Sequence, residues 1–264
     1  MAEARKSDRY NIRVVDKAVR VLNVLSDGKP RTLTMLSKEM DINSSTTFRL
    51  LATLLSHDLV QLDEATGNYR LGLACLELSR AYHTGNAVRT AALAEMEALR
   101  DETKETVHLG ILADMEVVYL EKLEGLFAIG LMSSRVGGRA PAYCTGLGKA
   151  LLAYTIPDSQ SGDLSEFKLK RYTDTTITRQ GELAQELARI RRDGYALDRG
   201  EHEPEVRCVA APIFDQYGKT VAAISVSGPR DRIDPVQENR ELIKRTKQAA
   251  YNISRRLGYR EENI

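Results

Sequence analysis

The sequence predicts an α+β protein of two domains. A winged helix-turn-helix covers residues 13–71, a linker helix covers 72–86, and a sheet domain with helices on one face covers 87–260. Three observations carry this. The apolar pattern up to Leu71 runs helix, helix, turn, helix, hairpin, the order of a winged helix-turn-helix. "LGLACLELSRAYH" (residues 71–83) has helical periodicity with few breakers before Gly85, as a rigid linker would. Beyond Thr103, alternating runs interleave with helical ones.

Each element has its own signal. Residues 1–12 are polar and expected to be flexible. Val15, Ala18, Val21, Leu22 and Leu25 then recur at helical spacing, and Gly28-Lys29-Pro30 ends the run. A short helix follows, with Leu36 and Met40 on one face. Asn43 is a good N-cap for a third helix, in which Thr47, Leu50, Leu51 and Leu54 make the apolar stripe. Ser44, Ser45, Phe48, Arg49 and Thr53 are left off that stripe. Residues 59–62 and 69–71 read as short strands around the turn "DEATGN". A helix over 88–103 opens the second domain. Strands are expected at 107–111, 117–120 and 126–134 ("LFAIGLMSS"), then a helix at 146–154. Residues 157–179 are polar and loop-like, with room for one short helix. Leu183, Leu187 and Ile190 mark a helix over 182–193, stopped by Gly194. Strands at 195–198, 208–214 and 221–227 follow, the last two joined by the hairpin turn "DQYGK", and residues 235–257 form the closing helix.

Composition narrows the class. The chain of 264 residues is 42% hydrophobic and 28% charged, an ordinary globular balance. It has no uninterrupted apolar run long enough to cross a bilayer, and its polar start lacks the apolar centre of a signal peptide. The three cysteines, Cys75, Cys144 and Cys208, are odd in number and far apart, which fits a reducing cytoplasm. A net charge of +1 neither demands nor excludes nucleic acid, since a local basic face can hide in a neutral total.

"CTGLGKALLAY", from Cys144, imitates a nucleotide loop but fails as one. Tyr143 stands where a P-loop needs Gly, Ala150 where it needs Ser or Thr, and Leu151 where the dinucleotide fingerprint needs its third Gly. What survives is a helix start at Thr145-Gly146, whose free N–H groups can hold an anion; Lys149 reads as a surface residue. There is no Gly-x-Ser-x-Gly elbow and no His-Glu-x-x-His, and His57, His83, His108 and His202 lack metal-ligand spacing. No enzyme activity, cofactor or metal is called for. A thiol-based redox sensor using Cys144 and Cys208 is a rival reading, although buried inert cysteines are commoner than reactive ones. Ser225 and Ser227 share one strand face with Ala223, opposite Ala222, Ile224 and Val226; the pattern leaves open which face helices cover.

"VDKAVRVLNVL", "SSTTFRLLATLLSHDLV" with "YRLG", "SRVGGRAPAYCTGLGKALLAY" and "EVRCVAAPIFDQYGKTVAAISVSGP" together resemble the IclR family of bacterial transcriptional regulators over nearly the whole chain. "ETVHLG" and the third stretch look closest to members sensing sugar acids, such as the regulator of 2-keto-3-deoxygluconate use. The resemblance implies a winged helix-turn-helix on palindromic operator DNA and a GAF-like effector-binding domain. It also implies a homodimer or a dimer of dimers. Many such proteins repress catabolic operons and respond to a small carboxylate; others activate, some sensing aromatic acids.

Ser44, Ser45, Thr46 and Arg49 resemble the family's DNA-reading positions, where hydroxyls and helix N–H groups suit phosphate and Arg suits phosphate or guanine. The family often has a basic residue where Ser44 stands. Arg31 and Arg70 are expected at phosphates. Phe48 either meets a thymine methyl or packs under the wing. In the sensor, the resemblance implies that Gly146 and Leu147 offer N–H groups to a carboxylate. Asp198, Cys208, Ser225 and Ser227 would form a polar floor, and Ile129 and Met132 an apolar wall. Asp198 would repel an anion unless it is protonated or bonds a ligand hydroxyl, and otherwise makes a turn with Gly200. His202 and Glu203 would gate the pocket. Arg135 and Arg139 either attract an anion or are solvated surface charges.

Overall fold

The computed structural model describes residues 11–126, 132–156, 164, 168–233 and 240–260. The chain divides into two compact units, Met1–Gly85 and Asn86–Ile264.

The first unit contains α1 (Arg13–Leu25), β1 (Arg31–Thr32), α2 (Leu33–Met40), α3 (Ser44–Ser56), β2 (Val60–Asp63), β3 (Asn68–Leu71) and α4 (Leu73–Thr84). Asn43 caps α3 by accepting from the Thr46 N–H at 2.8 Å. Between α2 and α3 the chain turns at Asp41, in the left-handed region with φ 53°. The core is Val21, Leu25, Leu36, Met40, Leu50, Leu51, Leu54, Val60 and Tyr69. The wing has three strands in the order β1-β3-β2. The two-residue β1 is too short to have its own periodicity; it exists because Arg31 and Thr32 pair with Tyr69 and Asn68. Val15 is not in the core as its spacing suggested. It is 53% exposed, beside exposed Ile12 and Val19, while α1 buries Val21 and Leu25. The linker helix α4 buries none of its side chains.

The second unit contains α5 (Ala87–Thr103), β4 (Thr106–Ala113), β5 (Glu116–Leu123), β6 (Arg139–Pro141), a 3-10 turn (Ala142–Cys144), α6 (Gly146–Thr155), α7 (Gln180–Asp193), β7 (Ala196–Asp198), β8 (Val206–Phe214), β9 (Thr220–Pro229) and α8 (Arg240–Arg256). The six strands form one antiparallel sheet in the order β6-β5-β4-β9-β8-β7.

Helices cover both faces of this sheet, not one. α5 and α8 pack over Val107, Leu109, Val209, Ala211, Ile224 and Val226, whereas α6 and α7 pack over Val117, Ala196, Ala210 and Ala223. The strand parity that separates Ile224 from Ala223 therefore divides two cores, not core from solvent.

The strand expected over 126–134 is not seen at Leu126 or at Met132, Ser133 and Ser134; residues 127–131 lie outside the described residues. β6, five residues further on, takes the sheet edge instead. Residues 164 and 168–179 form no helix or strand, and the rest of the 157–179 loop, the flexible start over 1–10 and the first residues of the closing helix (235–239) are likewise outside the description. Among the described residues no helix is long and apolar enough to cross a membrane.

Candidate functional site

At the mouth of α3, Ser44 and Ser45 are exposed and Thr46 is half-buried. Because Asn43 is the cap, the two serine hydroxyls are not consumed in capping. Thr47 is different: it is buried, and its hydroxyl donates to the Asn43 carbonyl at 3.1 Å. Arg49 is exposed and has no ion pair among the described residues. Phe48 is 57% exposed, so it does not pack under the wing. Arg70, on β3, is also exposed and only approaches Asp63 at 3.7 Å.

Arg31 departs from expectation. Its guanidinium makes a double contact with Asp27, at 2.7 and 2.9 Å, and reaches Glu39 at 3.0 Å. Hydrogen bonding to Arg31 holds Asp27 well below the usual carboxylate range. Two acidic partners already take the positive charge, so Arg31 acts as a tie between the α1–β1 turn and α2.

In the second unit a cavity of about 180 Å³ opens beside the N-terminus of α6. That is below the ~300–1,000 Å³ of drug-sized ligand sites, so it suits a small metabolite. Gly146, Leu147, Asp198, Cys208, Ser225, Ser227 and Met132 all line it, as do His202, Glu203, Arg135 and Arg139. Ile129 lies outside the described residues. Thr145 is the N-cap of α6: its hydroxyl oxygen accepts from the Gly148 N–H at 3.2 Å. Helix geometry then leaves the N–H groups of Gly146 and Leu147 without intrahelical acceptors, at the wall of the cavity. A side chain at 146 would intrude, because its Cβ would stand 3.2 Å from Cys208 Cβ and 3.7 Å from Asp198 Cβ.

The polar floor is connected. Ser225 and Ser227 are 2% exposed with hydroxyls 3.4 Å apart. Ser227 lies 3.3 Å from His108 Nδ1, and His108 Nε2 lies 2.8 Å from the Ser134 hydroxyl. Burial, with the Lys122 charge second, pushes His108 down to about 3, so the ring is neutral and offers one donor and one acceptor. His108 lacks metal-ligand spacing; its signal is its place on β4, whose neighbour in the sheet is β9 with the two serines. Asp198 lies at the cavity and in the turn at once. It lines the cavity, and its Oδ1 accepts from the N–H groups of Gly200 at 2.9 Å and Glu201 at 2.8 Å. Burial first, then the Glu201 charge, raises its pKa against the pull of Lys149. Over the mouth, Glu203 accepts from the Ser133 N–H at 3.0 Å and its hydroxyl at 2.5 Å, joining the two flanking loops.

Lys149 is not on the surface. It is fully buried, and its ammonium donates to Glu201 and, at 3.4 Å, to Glu186. Of the two thiols Cys208 lines the cavity and Cys144 lies just before α6; burial raises both well above the ordinary thiol range. This disfavours the thiolate that a redox sensor needs. Among the described residues no group of three or more His, Cys, Asp and Glu could hold a metal.

A winged helix-turn-helix with a free reading face, carried on the same chain as a domain with a small-ligand cavity, defines the class of DNA-binding transcriptional regulators. Residues 14–64 match the IclR helix-turn-helix domain, and residues 80–255 match the bacterial transcriptional regulator IclR C-terminal domain. The chain is 33% identical over 246 residues to the HTH-type transcriptional regulator KdgR of Escherichia coli (strain K12), covering 93% of this chain and 92% of that protein. It is 32% identical over 247 residues to the HTH-type transcriptional repressor AllR of the same organism, covering 92% and 90%. Among solved structures, an IclR homolog from Microbacterium hydrocarbonoxydans complexed with 4-hydroxybenzoate superposes with a TM-score of 0.80 at 28% identity, over 92% of this chain and 98% of that one. The chain belongs to the IclR family of bacterial transcriptional regulators. Its relatives are regulators, not enzymes.

Proposed function

We propose that this regulator represses a catabolic operon in the cytoplasm and is controlled by a small carboxylic acid, a keto or sugar acid, held between the α6 N-terminus and the β9 serines. The observation that carries this is the pair of free N–H groups at Gly146 and Leu147, facing a cavity floored by Asp198, Cys208, Ser225 and Ser227. Its size supports a small metabolite, the likeness to KdgR supports a sugar-acid class, and the name of AllR supports repression. A second ligand class has its own support: the neighbour that binds 4-hydroxybenzoate makes an aromatic acid the alternative.

The DNA contacts assigned are Ser44, Ser45, Thr46 and Arg49 on α3 and Arg70 on the wing; Arg31 is left out for its ties to Asp27 and Glu39. The chain acts as a homodimer, or a dimer of dimers, on a palindromic site. Support comes from exposed Ile12, just before α1, with Val15 and Val19 on α1, and from exposed Leu73, Leu76 and Tyr82 on α4, surfaces that a second copy would cover. Two reading helices then lie about one DNA turn, or a small multiple of it, apart. A thermal-shift screen of pyruvate, gluconate, 2-keto-3-deoxygluconate and 4-hydroxybenzoate tests the effector. One of the acids should stabilise the wild type and leave Gly146→Val unmoved. If Gly146→Val responds like wild type, the α6 N-terminus is not the anion site.

A further inference from the structure

Lys149 is the largest fully buried side chain among the described residues, and it lies on the first turn of α6, two residues after Leu147. Its partner Glu201 is 3% exposed and does three things. The carboxylate receives the Lys149 ammonium. The backbone N–H of Glu201 holds Asp198 Oδ1. Its carbonyl accepts from Thr176 Oγ1 at 2.6 Å, and Thr173 Oγ1 in turn donates to the Gly200 carbonyl at 2.6 Å. The 198–201 turn is thus tied on one side to α6 and on the other to the threonine loop. Glu201 Oε2 is buried with no hydrogen-bond partner. The buried Glu201 carboxylate disfavours a second anion beside it, so it makes protonation of Asp198 easier. Asp198 spends only Oδ1 on the turn, and among the described residues Oδ2 has no partner.

We infer that Lys149 acts through Glu201 as the positioning device for Asp198, so that the pocket takes up a small carboxylate together with one proton. This rests on the carboxylate reading above and names how that site accepts its ligand. The accounting is simple. The ligand enters as an anion, a proton comes from solvent to Asp198, and the resulting carboxylic acid donates to the ligand. Without the proton, two anions would meet in a low-dielectric cavity.

Other groups around Asp198 do not supply the proton. Cys208 pairs with it across the sheet on β8, Cys144 precedes α6 and Tyr119 projects from β5; burial holds all three in their neutral forms. His108, from β4, is neutral as well. Glu203 sits at the mouth, engaged with Ser133. Glu201, from the turn, and Lys149, from α6, are the opposing charges that set Asp198.

Calorimetry on the full chain tests this, with pyruvate, gluconate and 4-hydroxybenzoate as probes in two buffers of different ionisation enthalpy. At a pH about one unit or more above the titration of free Asp198, wild type should take up about one proton per acid bound, and there its affinity should fall about tenfold per pH unit. Whatever affinity Asp198→Asn retains should be flat with pH and free of proton uptake. Glu201→Gln removes the anion that raises Asp198, so the pH at which affinity begins to fall should move down. An acid that binds wild type at that alkaline pH without proton uptake overturns the inference, as does an unchanged pH profile in Glu201→Gln.

A ligand-free measurement keeps the two readings separable. In carboxyl-labelled protein, the Asp198 resonance, identified by its loss in Asp198→Asn, should titrate above the ordinary carboxylate range and move down in Glu201→Gln. An ordinary titration in wild type overturns the inference even if none of the three acids binds. Failure of all three to bind counts against the carboxylate reading alone.

Discussion

Replacing Lys149 by Met puts the buried charge cluster to a quantitative test. The substitution preserves most of the side-chain volume and removes the ammonium. Glu186 keeps Arg189, at 2.9 and 3.0 Å, so its loss is small. Glu201 has no such reserve: one of its oxygens is already unpaired, and Lys149 is the ion-pair partner of the other. Removing one member of a buried pair costs about 3–5 kcal/mol, because the remaining charge is stranded. For a unit of this size that is a fall in melting temperature on the order of 10 °C. The partner variant Lys149→Met/Glu201→Leu removes both charges and should return to within about 1 kcal/mol of wild type. Urea denaturation of wild type, both singles and the double reads all terms. A Lys149→Met cost below about 1 kcal/mol, the range of a surface pair, would refute the reasoning. So would a double variant whose loss equals the sum of the singles.

Gly148 permits the close approach of α6 to the 3-10 turn. A Cβ there would lie 2.2 Å from the Ala142 carbonyl oxygen and 2.3 Å from its Cα, so Gly148→Ala should cost about 1–3 kcal/mol or more by urea denaturation. His108 makes stability fall in acid: folded, it titrates at about 3, while the unfolded chain binds its proton near the ordinary 6.5. That stabilising difference is complete above 6.5 and is lost as pH drops toward 3, about 2 kcal/mol of it by pH 5. His108→Asn should flatten this part of the wild-type profile, and parallel profiles would show that the ring is not buried neutral. Arg49→Ala should abolish specific operator binding and lower the salt slope by about one, with assembly and effector binding intact. Arg31→Ala should instead lower the melting temperature of the DNA-binding domain while leaving the salt slope unchanged.

What the sequence made legible were local features. The Asn43 cap, the Thr47–Leu54 stripe and the shared face of Ser225 and Ser227 depend on neighbours within a turn or a strand, and each is where the pattern put it. What stayed hidden depended on distant partners. Lys149 looked like a solvated lysine because Glu186 and Glu201 are 37 and 52 residues away. One local sign was available: every residue of α6 from Gly146 to Ala153 is buried, and "GLGKALLA" offers no polar face on which a lysine could sit in water. The ties of Arg31 were hidden for a similar reason, since its second carboxylate, Glu39, lies near the far end of α2. The placement of helices on both sheet faces was also unreadable, because Cys208, Ser225 and Ser227 make one face of β8 and β9 look polar, although Ala210 and Ala223 on that face belong to the core under α6 and α7.

The most direct test of the account is a DNA titration under effector control. Labelled DNA from upstream of the protein's own gene would be titrated with full-length protein, with and without the acid that most raises its melting temperature. The account predicts that the acid changes DNA affinity by about 5–150-fold, the usual span of coupling between two sites on one protein. It also predicts that Gly146→Val binds the same DNA but no longer responds. An acid that stabilises the protein and leaves its DNA affinity unchanged would contradict it.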